Sequence, residues 1–293
     1  MDSKIVNKIR NNPKKVALAA LIVALVIARV WYEILVLGGL NQSAAFYIGL
    51  PALIALVLTF GTRSSSFMVL SSLGITLILL MGIIVLQEGV VCILMASPIF
   101  FLIVAIISWI EKKVNGKAQH LLLLPIFLMS MEGTTELLSF DRTATASATQ
   151  IIHSISPIDI RRTVSQVPTF DQELPAFLRL GFPTPTQTEG SGLEIGDRRH
   201  ITFTMGELTL EIVEVTEESI RFDFVHDSTP ISQWLTWEAA TVKWETLPDD
   251  SVEVTWSLTY QRDLDPAFYF GPLESYGVHL AAEYLLETVA IPH

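Results

Sequence analysis

Four long apolar runs crowd the first 110 residues, and they limit what this chain can fold into more than any other feature. Residues 16–38, VALAALIVALVIARVWYEILVLG, are 23 long, and further runs follow at 44–60, 67–87 and 90–110. A helix that crosses a bilayer needs roughly 20 predominantly apolar residues. The spacing therefore predicts four membrane-spanning helices. Lys4, Lys8, Arg10, Lys14 and Lys15 precede the first run. That resembles the basic start of a signal peptide, but the run is too long and has no small-residue cleavage site, so a retained first helix is expected.

Lysines and arginines in short loops set orientation, because they are retained on the cytoplasmic side. With the N-terminus inside, the inner segments hold the five basic residues above, then Arg63, then Lys112, Lys113 and Lys117, while the outer loops hold none. The N-terminus is thus expected in the cytoplasm. A fifth segment is less plain. LLLLPIFLMSM (121–131) is too short by itself, but a span over 119–138 is long enough if Glu132 and Glu136 lie toward its far end. Crossing would put the remainder of the chain outside, in a periplasmic or extracellular space. The competing reading is an interfacial helix with that remainder in the cytoplasm. Arg29 and Glu33, four apart inside the first run, read as an intramembrane charge pair.

Past this point the character of the chain changes. Residues 1–131 carry ten Lys/Arg and four Asp/Glu, a net of +6; residues 132–293 carry nine against 26, a net of −17, and the two sum to the chain's −11. The mean hydropathy of +0.49 is high for a soluble protein and comes almost wholly from the first half. Two domains follow, 1–140 in the membrane and 141–293 acidic and globular. A half with one lysine, Lys243, is a poor match for nucleic acid or anionic headgroups. Cys92 is the only cysteine, so neither an intrachain disulfide nor a cysteine-based metal site can form.

In the acidic half, long runs give way to alternation, the mark of half-buried antiparallel strands. SVEVTWSLTYQR (251–262) sets Val252, Val254, Trp256, Leu258 and Tyr260 on one face. ESIRFDFVH (218–226) aligns Ile220, Phe222, Phe224 and His226 in the same way. HITFTMGELTLEIVEV (200–215) reads as two strands about Gly206, and SQWLTWEAATVKWETL (232–247) as another, turning at PDD into 251–262. Before them, TATASATQIIHSI is a strand, and SPIDIRRTV starts a helix with Ser156 as N-cap, Pro157 first and Asp159 third. The chain ends in DPAFYFGPLESYGVHLAAEYLLETVA (265–290), whose apolar stripe is expected at 273, 276, 280 and 284.

Strand, short helix, several antiparallel strands, long final helix: ATQIIHSISPIDIRRTVSQVP and VEVTWSLTYQR…LAAEYLLETV resemble the START-like helix-grip fold of the SRPBCC superfamily, which includes polyketide cyclase/dehydrase and lipid-transport proteins. The resemblance covers about 143–290, and LPAFLRLGFPTP and DSTPISQWLTW are similar to segments of bacterial membrane-tethered members. It implies an α+β domain in which a curved antiparallel sheet wraps one long C-terminal helix around a ligand cavity, held at a bacterial cytoplasmic membrane by the transmembrane helices.

The aromatic supply suits such a cavity. Phe222, Phe224, Trp234, Trp237, Trp256, Tyr260, Phe270, Tyr276, Leu280 and Tyr284 are the expected lining. His226, beside Asp227, Arg262 at a strand end, and Tyr260 are the candidates for catalysis; each also has a plain structural reading, Arg262 as the partner of Asp263 or Asp265. His279 and Glu283 read as a solvated i,i+4 pair rather than metal ligands, and neither metal nor cofactor is expected. No nucleophile elbow, phosphate loop or paired-carboxylate signature occurs. The expected function is a membrane-anchored binding protein for a lipid or other hydrophobic small molecule. The alternatives are an enzyme of cyclase, dehydrase or hydrolase type and a non-catalytic interaction or sensory subunit. Membrane lipids and that ligand are the expected partners, and oligomeric state is open.

Overall fold

A computed structural model describes residues 45–54, 90–114, 126, 128–133, 140–170 and 172–291. The chain divides into two compact units, Met1–Phe140 with Leu264–Tyr269, and Asp141–Asp263 with Phe270–His293.

In the first unit, helix α1 runs Val90–Val114 with Pro98 inside it. Ala96, Ile99, Phe100, Ile103 and Val104 are buried at three- and four-residue spacing, and Tyr47 meets Phe100 edge-on at 6.3 Å. Its other side exposes Phe101, Leu102, Ile106 and Trp109, with Lys113 Nζ 4.7 Å over the Trp109 ring. Among the described residues no helix is long and apolar enough to cross a membrane; within α1 the continuously described side chains run only from 95 to 107. The expected spans at 16–38 and 67–87, and the Arg29–Glu33 pair, lie outside the described residues. Glu132 is buried, and its Oε1 accepts the backbone N–H of Ala267 at 2.9 Å. A carboxylate on the first N–H of a helix is favourable both as a hydrogen bond and against the helix dipole.

The second unit is a seven-stranded, wholly antiparallel sheet. Its strands are β1 (Thr143–Ile152), β2 (Pro185–Glu189), β3 (Arg198–Phe203), β4 (Glu207–Val215), β5 (Ser219–Asp227), β6 (Leu235–Thr246) and β7 (Val252–Arg262), in spatial order β1-β7-β6-β5-β4-β3-β2. Helix α2 (Pro157–Ser165) follows β1, and α3 (Ala267–Leu285) closes the chain with one wider turn at Leu286–Ala290. The start of α2 is the one expected: the Asp159 carboxylate accepts from Ser156 N and Ser156 Oγ, at 3.2 and 2.6 Å. Those bonds to Ser156 hold the Asp159 carboxyl below its ordinary value.

Alternation sorts the faces as the sequence indicates on β7: Val252, Val254, Trp256, Leu258 and Tyr260 are all buried. The opposite face carries threonines, and Thr145–Thr259 and Thr149–Thr255 hydroxyls meet across β1 and β7 at 3.1 and 2.9 Å. Three register shifts interrupt the central ladders, at Thr209/Leu210, Ile212/Glu214 and Trp237/Ala239. Each inserts a residue on one side, and such bulges bend a sheet. The core lies between the inner face and the C-terminal helix, where Ile212, Ile220, Val242, Val252, Val254 and Ala282 are fully enclosed.

Candidate functional site

The face that α3 buries is not the expected one. Phe270, Glu274, Val278 and Ala282 are buried, each four residues from the last. Of the expected stripe, Tyr284 is buried, Leu273 and Leu280 are half-buried, and Tyr276 is 53% exposed. Val278 and Ala282 are compact, so the helix axis can lie close to the sheet along that line. The larger Leu273 and Leu280 then flank the contact instead of making it.

The unusual member of the buried stripe is Glu274, 4% exposed. Facing residues of β7 answer it. Tyr260, 1% exposed, and Arg262, 4% exposed, occupy the inner face at the C-terminal end of that strand. The aliphatic stem of Arg262 passes beneath Gly271, where an added Cβ would sit 4.0 Å from Arg262 Cδ. Tyr260 responds to these neighbours: burial, and then the negative charge of Glu274, push its phenol up to about 12, while a hydrogen bond from Ser275 and the Arg262 charge pull the other way. Ser275 itself is exposed, so the cluster reaches solvent at one edge. A phenol with these neighbours keeps its proton at neutral pH and can donate it in a hydrogen bond. Lower on β7, Trp256 Nε1 is enclosed without a hydrogen-bond partner.

Aromatic rings pack in chains, one of which reaches Tyr260. Phe224 stacks on Trp237 at 5.4 Å, and Trp237 meets Tyr260 edge-on at 6.3 Å. A second chain of rings comes from the loop before β2. Tyr276 contacts Phe177 at 5.3 Å, Phe177 contacts Phe182 at 5.6 Å, and Phe182 contacts Trp234 at 5.2 Å. Phe177 lies against Gly277, where an added Cβ would be 3.4 Å from Phe177 Cε1. Tyr284 stacks on Phe170 at 6.0 Å, and its hydroxyl donates to Gln172 O at 3.1 Å. Phe222, Trp234, Trp256 and Phe270 are buried. A separate cleft of about 460 Å³ opens between α2 and the chain end, bordered by Ile155, Thr163, Val167, Thr288 and Ile291.

His226 does not join Tyr260 and Arg262. Simple alternation from Phe222 and Phe224 aims it inward, but the register passes from Leu210↔Phe224 to Thr209↔His226, leaving Val225 as the extra residue. The bulge reverses the parity and turns His226 to the outer face, where its side chain is 53% exposed and Nε2 lies 3.7 Å from Glu207 Oε1. His200 shares that face, with Nε2 3.2 Å from Glu207 Oε2 and Nδ1 2.9 Å from Thr209 Oγ1. Asp227, one residue on, returns inward opposite Leu208, and burial raises its carboxyl above the ordinary value. His279 is half-exposed, 3.2 Å from Glu283 through Nε2 and 2.9 Å from Ser147 O through Nδ1, the solvated pair expected of it. Asp263, one suggested partner of Arg262, accepts from Thr236 Oγ1 at 2.8 Å. Among the described residues no group of three or more His, Cys, Asp or Glu could hold a metal ion.

Glu274 is the residue that sequence reasoning missed. Its signal was the spacing Phe270–Glu274–Val278–Ala282, an unbroken i,i+4 line that a search for apolar residues discards because of its one carboxylate.

The strand order and the closing helix fit the helix-grip arrangement. No family model and no curated protein matches the chain. Solved structures do match. Norcoclaurine synthase from Thalictrum flavum is 18% identical, the match covering 50% of this chain and 85% of that one, with a TM-score of 0.35. The major latex-like protein 151 of Panax ginseng is 17% identical over 49% of this chain and 98% of that one, TM-score 0.28. A protein from Nitrosospira multiformis is 16% identical over 49% and 98%, TM-score 0.30.

Proposed function

We propose that residues 141–293 hold a lipid or other hydrophobic small molecule between the inner sheet face and α3, and that the first unit anchors this module in a membrane. One observation carries the binding reading. The polar residues Tyr260, Glu274 and Arg262 are all buried, with Trp237 edge-on to Tyr260, and a few polar groups in apolar surroundings are what orients a small ligand. The membrane reading is supported by the four apolar runs, the one-sided distribution of Lys and Arg, and the exposed apolar side of α1. On the crossing reading of 119–138 the module faces a periplasmic or extracellular space, at a bacterial cytoplasmic membrane.

An enzymatic reading is favoured by one specific feature, a phenol raised to about 12 beside a buried carboxylate. Tyr260 would then stay protonated and donate a hydrogen bond to a polar atom of a hydrophobic substrate, and the Glu274 carboxylate would hold positive charge that develops on that substrate. His226 has no part in it, being on the outer face.

The test of binding is the molecule that co-purifies. The full chain in lipid nanodiscs is extracted into organic solvent, and the extract is compared with that of empty nanodiscs by mass spectrometry. A hydrophobic species near one per chain is expected; an extract identical to empty nanodiscs, together with no uptake of any hydrophobic probe, contradicts the reading. For sidedness, Cys92→Ser with Asp249→Cys is exposed to a membrane-impermeant thiol reagent on intact cells. Rapid labelling is expected, and labelling only after lysis contradicts an outward-facing module.

A further inference from the structure

A second buried cation lies on the same inner face, and the cluster around Tyr260 makes no use of it. Arg199 of β3 is 4% exposed. Its NH2 donates to Gly192 O at 2.5 Å and, at 3.5 Å, to Val164 O in the last turn of α2. Its NH1 is enclosed with no hydrogen-bond partner, and no carboxylate lies within 4.0 Å of the guanidinium among the described residues. Asp197 is close enough to stabilise the charge, yet burial outweighs it and pushes the group below its ordinary value. The Asp197 carboxylate is engaged elsewhere, its Oδ2 accepting from Glu194 N at 2.8 Å. An enclosed charge costs several kcal/mol unless a partner offsets it, and two carbonyls on one nitrogen are an incomplete offset.

Fastening the loop before β3 does not account for the whole side chain. The loop is already tied to α2 by Gly192 N to Ser165 O at 2.9 Å. A glycine is also required at 190, where φ is +96° and a Cβ would collide with Arg198 O. NH2 does the remaining tethering, and NH1 is surplus to it.

Register places Arg199 in a row with the aromatic wall. Arg199 is opposite Leu210, Leu210 opposite Phe224, Phe224 stacks on Trp237, and Trp237 is opposite Tyr260. From β3 to β6 is three strand spacings, about 14 Å at ~4.8 Å each. We propose that Arg199 receives the carboxylate of a hydrophobic acid whose apolar body lies along Leu210, Phe224 and Trp237. This rests on the binding reading above and narrows it to an acid. A carboxylate is the fitting anion because a single free nitrogen meets one oxygen of a mono-anion, whereas a phosphate dianion would need more donors in so enclosed a place.

The experiment uses a dansyl-labelled undecanoic acid and its methyl ester, titrated into the full chain in nanodiscs and read by energy transfer from tryptophan, with empty nanodiscs as background. The acid is expected to bind about tenfold more tightly than the ester, which corresponds to ~1.4 kcal/mol. In Arg199→Met the acid falls to the level of the ester while the ester is unchanged, and Arg199→Lys recovers part of the preference. Equal binding of acid and ester by the wild type overturns the proposal, and so does a preference that survives in Arg199→Met. Should that variant fail to fold, the wild-type ratio decides alone. Uptake of neither probe by the folded wild type overturns the binding reading itself and this proposal with it.

Discussion

Tyr260 gives the account its sharpest physical consequence, at alkaline pH. In the unfolded chain the phenol titrates at the ordinary value of 10.0; in the fold it is held to about 12, chiefly by burial and then by the charge of Glu274. The folded state thus keeps a proton that the unfolded state releases between those values. Stability contributed by this group is fully present below pH 10 and is lost as pH rises from 10 toward 12. At ~1.36 kcal/mol per tenfold change, the rise from 10.0 to about 12 sets an upper bound of about 3 kcal/mol. Solvent at the Ser275 edge screens part of this, so a loss of about 1–2 kcal/mol is the working expectation. Two measurements check it. The near-ultraviolet absorbance of tyrosinate is titrated in the wild type and in Tyr260→Phe, and the difference spectrum reports Tyr260 separately from Tyr269, whose phenol burial also raises. The thermal midpoint of the globular unit is followed over the same range by near-ultraviolet circular dichroism. The wild type should lose more of its midpoint between pH 10 and 12 than Tyr260→Phe does. A difference spectrum centred at 10, or the same alkaline loss in both proteins, refutes the placement of Tyr260 in an enclosed site beside a carboxylate.

Glu274→Gln removes the negative charge that helps hold the phenol up, so the Tyr260 difference titration should move down toward 10; no movement would remove Glu274 from the cluster. Gly206, at φ +81° with Ser228 O in the path of any Cβ, turns the chain between β3 and β4. Gly206→Ala should cost more than about 1 kcal/mol in chemical unfolding, and a cost near zero would contradict the turn geometry. His226→Ala and His200→Ala alter only the outer face, and both should leave the uptake of a hydrophobic probe within twofold of wild type. A loss of uptake in His226→Ala would restore that residue to the site.

The parts of the fold legible in the sequence are those where one local period rules. β7 alternates without interruption through eleven residues, and the start of α2 carries its own capping residues, so both were readable. Bulges defeat alternation because nothing in composition announces them. Val225 is an ordinary strand residue, yet as the extra member of its ladder it sends His226 to the opposite face. On β6 the same device has the reverse effect. The register shift at Trp237/Ala239 lets Trp237 and Trp244, of opposite parity, both face inward, opposite Tyr260 and Val254. β2 was unreadable, since PTQTE has neither an apolar face nor β-branched residues beyond its threonines. On α3, side-chain bulk misled: Tyr276 and Leu280 outweigh Ala282 on any hydrophobicity count, but closeness to the sheet selects the slimmer line that contains Glu274. Arg199 was invisible for a similar reason, because RRH at the start of β3 reads as a solvated charge run until pairing shows which arginine faces inward.

The proposed function requires that a hydrophobic molecule lie between the inner sheet face and α3. The most direct measurement is titration of the dansyl-undecanoate methyl ester into the full chain, comparing wild type with Val278→Trp, which places bulk on the buried line of the helix. Ala282→Leu serves as a milder filling should the tryptophan prevent folding. The account predicts saturable uptake near one per chain in the wild type and its loss in the filled variant, with circular dichroism unchanged. Equal uptake by both folded proteins, or none by the wild type, would contradict it.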